Sequence, residues 1–145
     1  GKICVVGNEG YREIPITDFI TFVRKTLLKP DEIVVGIKVP YIEGAKGIFT
    51  KVSRRKDVDL STICGTVLKA GDNYRIAFGA VAPTPVRLRR TEHLINGKKL
   101  TKELIEEASK LAPTEISPIS DVRASKEYRS DVVEITLKRS LEQLA

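Results

Sequence analysis

The feature that most constrains this chain is a change of character near residue 82. Ahead of it, short apolar runs alternate with Gly, Pro, Asn and Asp, the pattern of strands and turns. The segment Ala82 to Arg87, APTPVR, carries two prolines, which cannot donate to a ladder, so the chain must leave the sheet there. Beyond it the apolar spacing turns helical. Arg87 to Ile95 reads as a short helix stopped by Asn96-Gly97. Thr101 caps a second helix, Lys102 to Leu111. Leu104, Ile105, Ala108 and Leu111 form its apolar face, Glu103 favours its positive end, and Pro113 closes it. A last helix, from about Ser125 or Lys126 to Leu144, lines Val133, Leu137, Leu141 and Leu144 along one side, with Tyr128 and Val132 adjoining. Strands first and helices last predict an α+β fold. Its core is an antiparallel sheet of three to four strands covered on one face by about three helices.

The strand-like part has its own grammar. Lys2 to Val6 and Tyr11 to Ile16, split by Gly7-Asn8-Glu9-Gly10, read as a hairpin. Thr17 to Pro30 is compatible with a helix or an extended loop, and Pro30 ends it. Glu32 to Val39 is the cleanest strand, with Ile33, Val35, Ile37 and Val39 expected on one face and Val34, Gly36 and Lys38 on the other. Gly36 either leaves room for something flat or marks a bulge. Gly47 to Lys51 leads by a charged loop into a second hairpin, Ser61–Lys69 and Tyr74–Val81. A break between Pro40 and Gly47 separates a leading β segment, residues 1–45, from the α+β layer, residues 46–145.

Composition excludes several classes. With 41% hydrophobic and 30% charged residues the chain is globular rather than disordered. No apolar run approaches the roughly 18 residues of a membrane span, no signal-peptide pattern appears, and a membrane-surface role for the last helix is disfavoured. The net charge of +6 permits nucleic-acid binding, but it is spread along the chain and no aromatics alternate with the cations. Cys4 and Cys64 lie far apart in apolar runs, as small hydrophobes do. They argue for a reducing compartment and against a zinc or iron–sulfur site. His93, lacking a second ligand nearby, reads as a surface residue of a helix. No metal site and no catalytic residue is assigned. The absence of Met and the immediate strand-like start read as a piece of a longer protein.

The densest charge lies between the strands. Lys51, Arg54, Arg55 and Lys56 sit beside Asp57 and Asp59, four cations and two carboxylates within nine residues. Such a cluster is a solvated turn, or it cradles an electron-rich or anionic group, or it docks a partner.

Several segments, in order, carry a resemblance. They are DFITFVRKTLLKPDEIVVGIKVP from Asp18, SRRKDVDLSTICG from Ser53, GAVAPTPVR from Gly79, the Glu92, Leu94, Gly97 pattern, and SPISDVRASKEYRSDVVEITLKRSL from Ser117. Together they resemble the flavin-binding medium subunit of the molybdenum hydroxylases, the family of xanthine dehydrogenase and carbon monoxide dehydrogenase. The resemblance implies that residues 1–45 end a flavin-binding subdomain and that 46–145 form the family's C-terminal α+β domain. It implies an oxidoreductase in which a molybdenum-binding large subunit and an iron–sulfur small subunit pass electrons through FAD to NAD or another acceptor, in the cytoplasm and as a hetero-oligomer. It also implies contacts. Val34 matches an apolar residue lying against the flavin ring. Lys51, or Thr50 after a one-residue shift, matches a lysine at the ring's polar edge. Leu28 and Arg24 match a segment passing nearby. Asp57 and Asp59 match a loop beside the flavin, as modulators or as partners of Arg54 and Arg55.

The glycine-rich turns that grip the FAD diphosphate in this family are not matched. Gly7-Asn8-Glu9-Gly10 reads as a hairpin turn whose carboxylate opposes phosphate. In the loop before the last helix, Arg123, Tyr128 and Arg129 are expected to cluster by local packing, or else to dock a partner subunit. Two other readings compete: a non-catalytic basic α+β assembly or binding module, and a nucleic-acid binder using Arg87 to Arg90 and the Arg54-Arg55 loop.

Overall fold

The computed structural model describes residues 1–55 and 58–145. They divide into two units, Gly1–Ile42 and Glu43–Ala145. In the first, β1 (Lys2–Gly7) pairs antiparallel with β2 (Gly10–Pro15), and Gly7 faces Gly10 across a tight turn. Gly10 sits at φ +103, a conformation open to glycine and costly for other residues. The stretch from Thr17 to Pro30 is neither a full helix nor a loop. It forms one helical turn, α1 (Ile16–Phe19), and a two-stranded ribbon of β3 (Ile20–Phe22) and β4 (Lys25–Thr26). The run Ile20, Thr21, Phe22, Val23 is β-branched and aromatic, which favours extended backbone over a second helical turn.

Strand β5 (Ile33–Lys38) pairs with the free side of β1, giving the order β2-β1-β5. Its predicted alternation fails. The register shifts so that Ile37 faces Ile3 while Val34 faces Val5. Because cross-strand partners share a face, Val34 and Ile37 lie on the side of the small core and Gly36 lies with Cys4 on the other. The register break falls beside Gly36, as its bulge reading expects. That core is Ile3, Val5 and Ile14, with Phe19 and Leu28 packed on it. Charges fasten the rest. The Arg12 guanidinium donates to both Glu32 oxygens at 2.6 and 2.7 Å. Glu13 accepts from Lys2, Lys38 and Tyr11 at 2.8, 2.5 and 3.0 Å.

The second unit is a four-stranded antiparallel sheet in the order β6-β7-β8-β9, with β6 (Lys46–Val52), β7 (Ile63–Ala70), β8 (Asn73–Gly79) and β9 (Val86–Arg87). The helices are α2 (Arg89–Ile95), α3 (Lys102–Leu111) and α4 (Lys126–Leu144). The α+β layer is therefore as expected. The first helix starts at Arg89 rather than Arg87, because Val86 and Arg87 pair with Phe78 and Ala77.

One sheet face, through Ile63, Val67, Tyr74, Ile76 and Phe78, packs with Ile95, Ile105, Ala108, Val133, Leu137, Leu141 and Leu144 of the helices. Thr101 and Ser125 cap α3 and α4 by accepting from Leu104 and Tyr128 N–H groups. Helix α2 has no such residue of its own. Glu115, in a 3₁₀ turn (Ala112–Glu115), reaches back and accepts from the N–H groups of Arg90 and Thr91, both at 2.8 Å. Buried Glu92 receives both arms of Arg87, at 2.6 and 2.8 Å, and the N–H of Ile76 at 2.8 Å.

Two outcomes are expected. A Cβ on Gly65 would lie 2.4 Å from Cε1 of buried Phe78. Gly65→Ala should therefore cost about 1–3 kcal/mol by overpacking, read as a lower denaturation midpoint. Hydrogen bonds led by Lys2 hold the Glu13 carboxyl at about 2, and those led by Arg12 hold Glu32 at about 2. Unfolded glutamates titrate near 4.3. The stability these groups contribute is therefore complete above that value and lost as pH falls through the folded one. Amide-exchange protection of β1 should decline as pH is lowered between those limits, and Glu13→Gln should flatten the decline. Unchanged protection across that range would contradict the assignment.

Candidate functional site

The site is built on the bare face of the second sheet. Along β6 the side chains alternate: Ile48, Thr50 and Val52 point to the helices, while Phe49 and Lys51 point away and are exposed. The register places Lys51 opposite Cys64, Phe49 opposite Thr66, and Gly47 opposite Leu68. The residues paired across from β7 on this face are Gly79, Ala77 and Arg75. No helix covers this face among the described residues, and its centre is made of small side chains. Thr50, the one-residue alternative to Lys51, lines a cleft on the opposite face with Tyr128 and Val132 of α4.

The loop after β6 is organised around Asp59. Lys51 Nζ donates to the Asp59 carbonyl at 2.7 Å. The Asp59 carboxylate accepts from the backbone N–H groups of Arg55 at 3.0 Å and Leu60 at 2.8 Å. Ser53 Oγ donates to the Arg55 carbonyl at 2.7 Å. Burial pushes the Asp59 carboxyl up, but the N–H donors of Arg55 and Leu60 outweigh it and hold the group below the usual carboxylate range. Among the described residues Asp59 thus folds the loop through main-chain bonds rather than by pairing with the Arg54 or Arg55 guanidinium. Arg54 instead donates to the Val122 carbonyl at 3.3 Å. Lys56 and Asp57 lie outside the described residues, and with them the proposed role of Asp57.

Of the residues singled out in the sequence, Lys51 and Asp59 come together. Val34, Leu28 and Arg24 belong to the first unit. There Val34 is 41% exposed, Leu28 packs on the small core, and Arg24 turns the β3–β4 ribbon at φ 58.

Sequence reasoning placed Arg129 in a local polar cluster or in a surface that docks a partner subunit. It is far more central. Arg129 is 3% exposed and donates to the carbonyls of Thr62 and Ala80 and to Asp121, the last at 2.8 Å. Tyr128, in contrast, is half exposed. The guanidinium therefore ties the end of the Asp59 loop, the turn after β8 and the segment before α4 to one helix. Its Nε is buried without a partner among the described residues. Asp121 is held at about 2, chiefly by the Arg123 N–H and with help from the Ala124 N–H and the Arg129 and Arg123 side chains, against the effect of burial. A signal existed. Arg129 stands one turn ahead of Val133 in the stripe that continues through Leu137 and Leu141, where an apolar residue is expected.

Among the described residues no group of three or more His, Cys, Asp or Glu is arranged to hold a metal ion, and no helix is long and apolar enough to cross a membrane.

Residues 48–144 match the family described as the CO dehydrogenase flavoprotein C-terminal domain. The chain belongs to this family. Relatives extend the likeness over nearly the whole sequence. The glyceraldehyde dehydrogenase medium chain of Sulfolobus acidocaldarius is 29% identical over 147 residues, covering 99% of this chain and 52% of that protein. A putative xanthine dehydrogenase FAD-binding subunit of Escherichia coli is 30% identical, covering 98% and 51%.

Among solved structures, the carbon monoxide dehydrogenase from Hydrogenophaga pseudoflava that lacks the Mo-pyranopterin moiety of its cofactor superposes with a TM-score of 0.87. The identity is 31%, over 97% of this chain and 51% of that one. The chain thus spans about half the length of the relatives it matches. The expected resemblance to the flavoprotein subunit of the molybdenum hydroxylases holds.

Arg129→Met removes this donor from the Thr62 and Ala80 carbonyls and takes one of several donors from Asp121. It should cost about 3 kcal/mol, the scale of breaking a buried charge pair, measured by chemical denaturation. Exchange of the Arg55 and Leu60 amides should accelerate in the same variant.

Proposed function

We propose that this chain is part of the FAD-containing subunit of a molybdenum-dependent dehydrogenase, with residues 1–45 ending the flavin-binding subdomain and 46–145 forming its C-terminal domain. The reading rests on family membership across 48–144 together with one geometric observation. A lysine on an uncovered sheet face has its Nζ positioned by the Asp59 carbonyl. Partner subunits carrying the molybdenum cofactor and the iron–sulfur clusters complete the enzyme, a cytoplasmic hetero-oligomer, and NAD or another acceptor removes the electrons.

Bound FAD supplies a ring that takes up and releases electrons. This chain's residues fit one part of that group and not another. Lys51 offers an ammonium to an electron-rich ring edge. Asp59, its carboxylate turned inward onto Arg55 and Leu60, fixes the lysine without opposing it. Val34, Leu28 and Arg24 are the apolar and cationic contacts proposed from the first unit. The diphosphate does not fit. In the Gly7 to Gly10 turn the Asn8 N–H already donates to Asp31 at 3.0 Å, and Glu9 pairs with Lys29, so the turn presents carboxylate where phosphate would need open N–H groups.

Two measurements test this reading. The isolated chain should bind FAD no tighter than about millimolar, because the diphosphate contacts are not made; a yellow protein from purification would contradict it. In the assembled enzyme, Lys51→Met should lower the flavin's two-electron potential by about 30 mV, equivalent to about 1.4 kcal/mol of lost stabilisation of the reduced ring. An unchanged potential would remove Lys51 from the site.

A further inference from the structure

The two edges of the second sheet are treated differently. At one edge β9 is two residues long, and its Arg87 is drawn onto Glu92 of α2. At the other, β6 runs for seven residues, without proline and without a register break against β7. Proteins ordinarily blunt such an edge by shortening, bulging or covering it, since an open strand is a template for pairing. Here the outer edge of β6 pairs with no strand among the described residues, and a cleft runs beside it. The cleft has a volume of about 510 Å³ and is formed by Thr50 and Val52 of β6 and by Tyr128, Val132, Ile135 and Arg139 of α4, among others.

Two properties of the cleft say what fits. Val52 and Val132 line it with apolar surface, and Ile135 and Tyr128, 48% and 50% exposed, leave more uncovered on a helix otherwise packed inward. Among the described residues its only charged lining residue is Arg139, with no carboxylate in the lining to answer it, and the edge strand adds Lys46 on the same face. A strand edge beside a helix groove is the geometry in which an extended peptide adds to a sheet. Main-chain hydrogen bonds supply affinity, and every second side chain falls into the groove.

We propose that β6 and α4 form a docking groove for an extended segment of a partner polypeptide. That segment adds to the β6 edge, places apolar side chains on Val132 and Ile135, and sets an acidic side chain against Arg139. The inference is independent of the flavin reading, since Lys51 points to the other face.

The test is selection of random peptides displayed on phage against the full chain, followed by titration of the enriched sequence as a synthetic peptide. Expected are sequences that alternate apolar residues with an acid, shifts in the amide resonances of Lys46 to Val52, and affinity weakened at least about tenfold by each of Ile135→Asp and Arg139→Glu. Both side chains are on the helix surface, so the variants should keep the wild-type circular dichroism. The proposal is overturned by no enrichment, by basic or non-alternating sequences, by resonance shifts elsewhere, or by either substitution leaving affinity unchanged. It is also overturned if the chain dimerises with rising concentration and Ile135→Asp abolishes the dimer, which would make the occupant a second copy.

Discussion

Helix α4 lying across the inner face of the β6–β8 sheet is the contact on which the larger unit depends. Its stripe of Val133, Leu137, Leu141 and Leu144 meets Ile63, Val67, Ile76 and Phe78, and all of these are buried. Each such side chain contributes on the order of 1.5–3 kcal/mol relative to exposure. At the head of the stripe Arg129 substitutes a charge for an aliphatic group. The exchange converts simple packing into an anchor for three separate loops, because only a guanidinium reaches the Thr62 and Ala80 carbonyls and the Asp121 carboxylate at once. The same helix that closes the core thereby sets the far end of the loop in which Asp59 steadies Lys51.

Periodicity exposed the outline and missed what depends on long-range pairing. The boundaries of α3 and α4, the cap residue Thr101, and the strand-to-helix switch are local matters, and spacing reveals them. The bulge in β5 is not local. Ile33, Val35, Ile37 and Val39 alternate as a regular strand should, but the register is decided by β1, and the shift moves Val34 onto the face of Ile3 and Val5. The ribbon of Ile20 to Thr26 was equally hidden, since seven residues hold too few repeats to separate helix from strand.

The candidate site divides the same way. Lys51 stood out by charge density. The role of Asp59 did not, because a carboxylate among cations suggests an ion pair and gives no hint that it will prefer the backbone N–H groups of its own loop. Arg129 was visible as an anomaly in an apolar stripe, yet its partners lie 67, 49 and 8 residues away, a pattern no spacing argument reaches. The two units differ in how they are held. The smaller relies on Arg12–Glu32 and the Lys2–Glu13–Lys38 group around a core of three buried apolar side chains, whereas the larger relies on aliphatic packing.

The capping of α2 has an implication for the order of events during folding. Its first N–H groups are answered by Glu115, more than twenty positions later in the chain, after α3 has been traversed. Seven residues without a cap of their own form too short a helix to persist in water. The Arg89 segment therefore acquires its shape only once the chain beyond α3 has doubled back. A ribosome releasing this polypeptide would have to deliver residue 115 before residue 89 could settle.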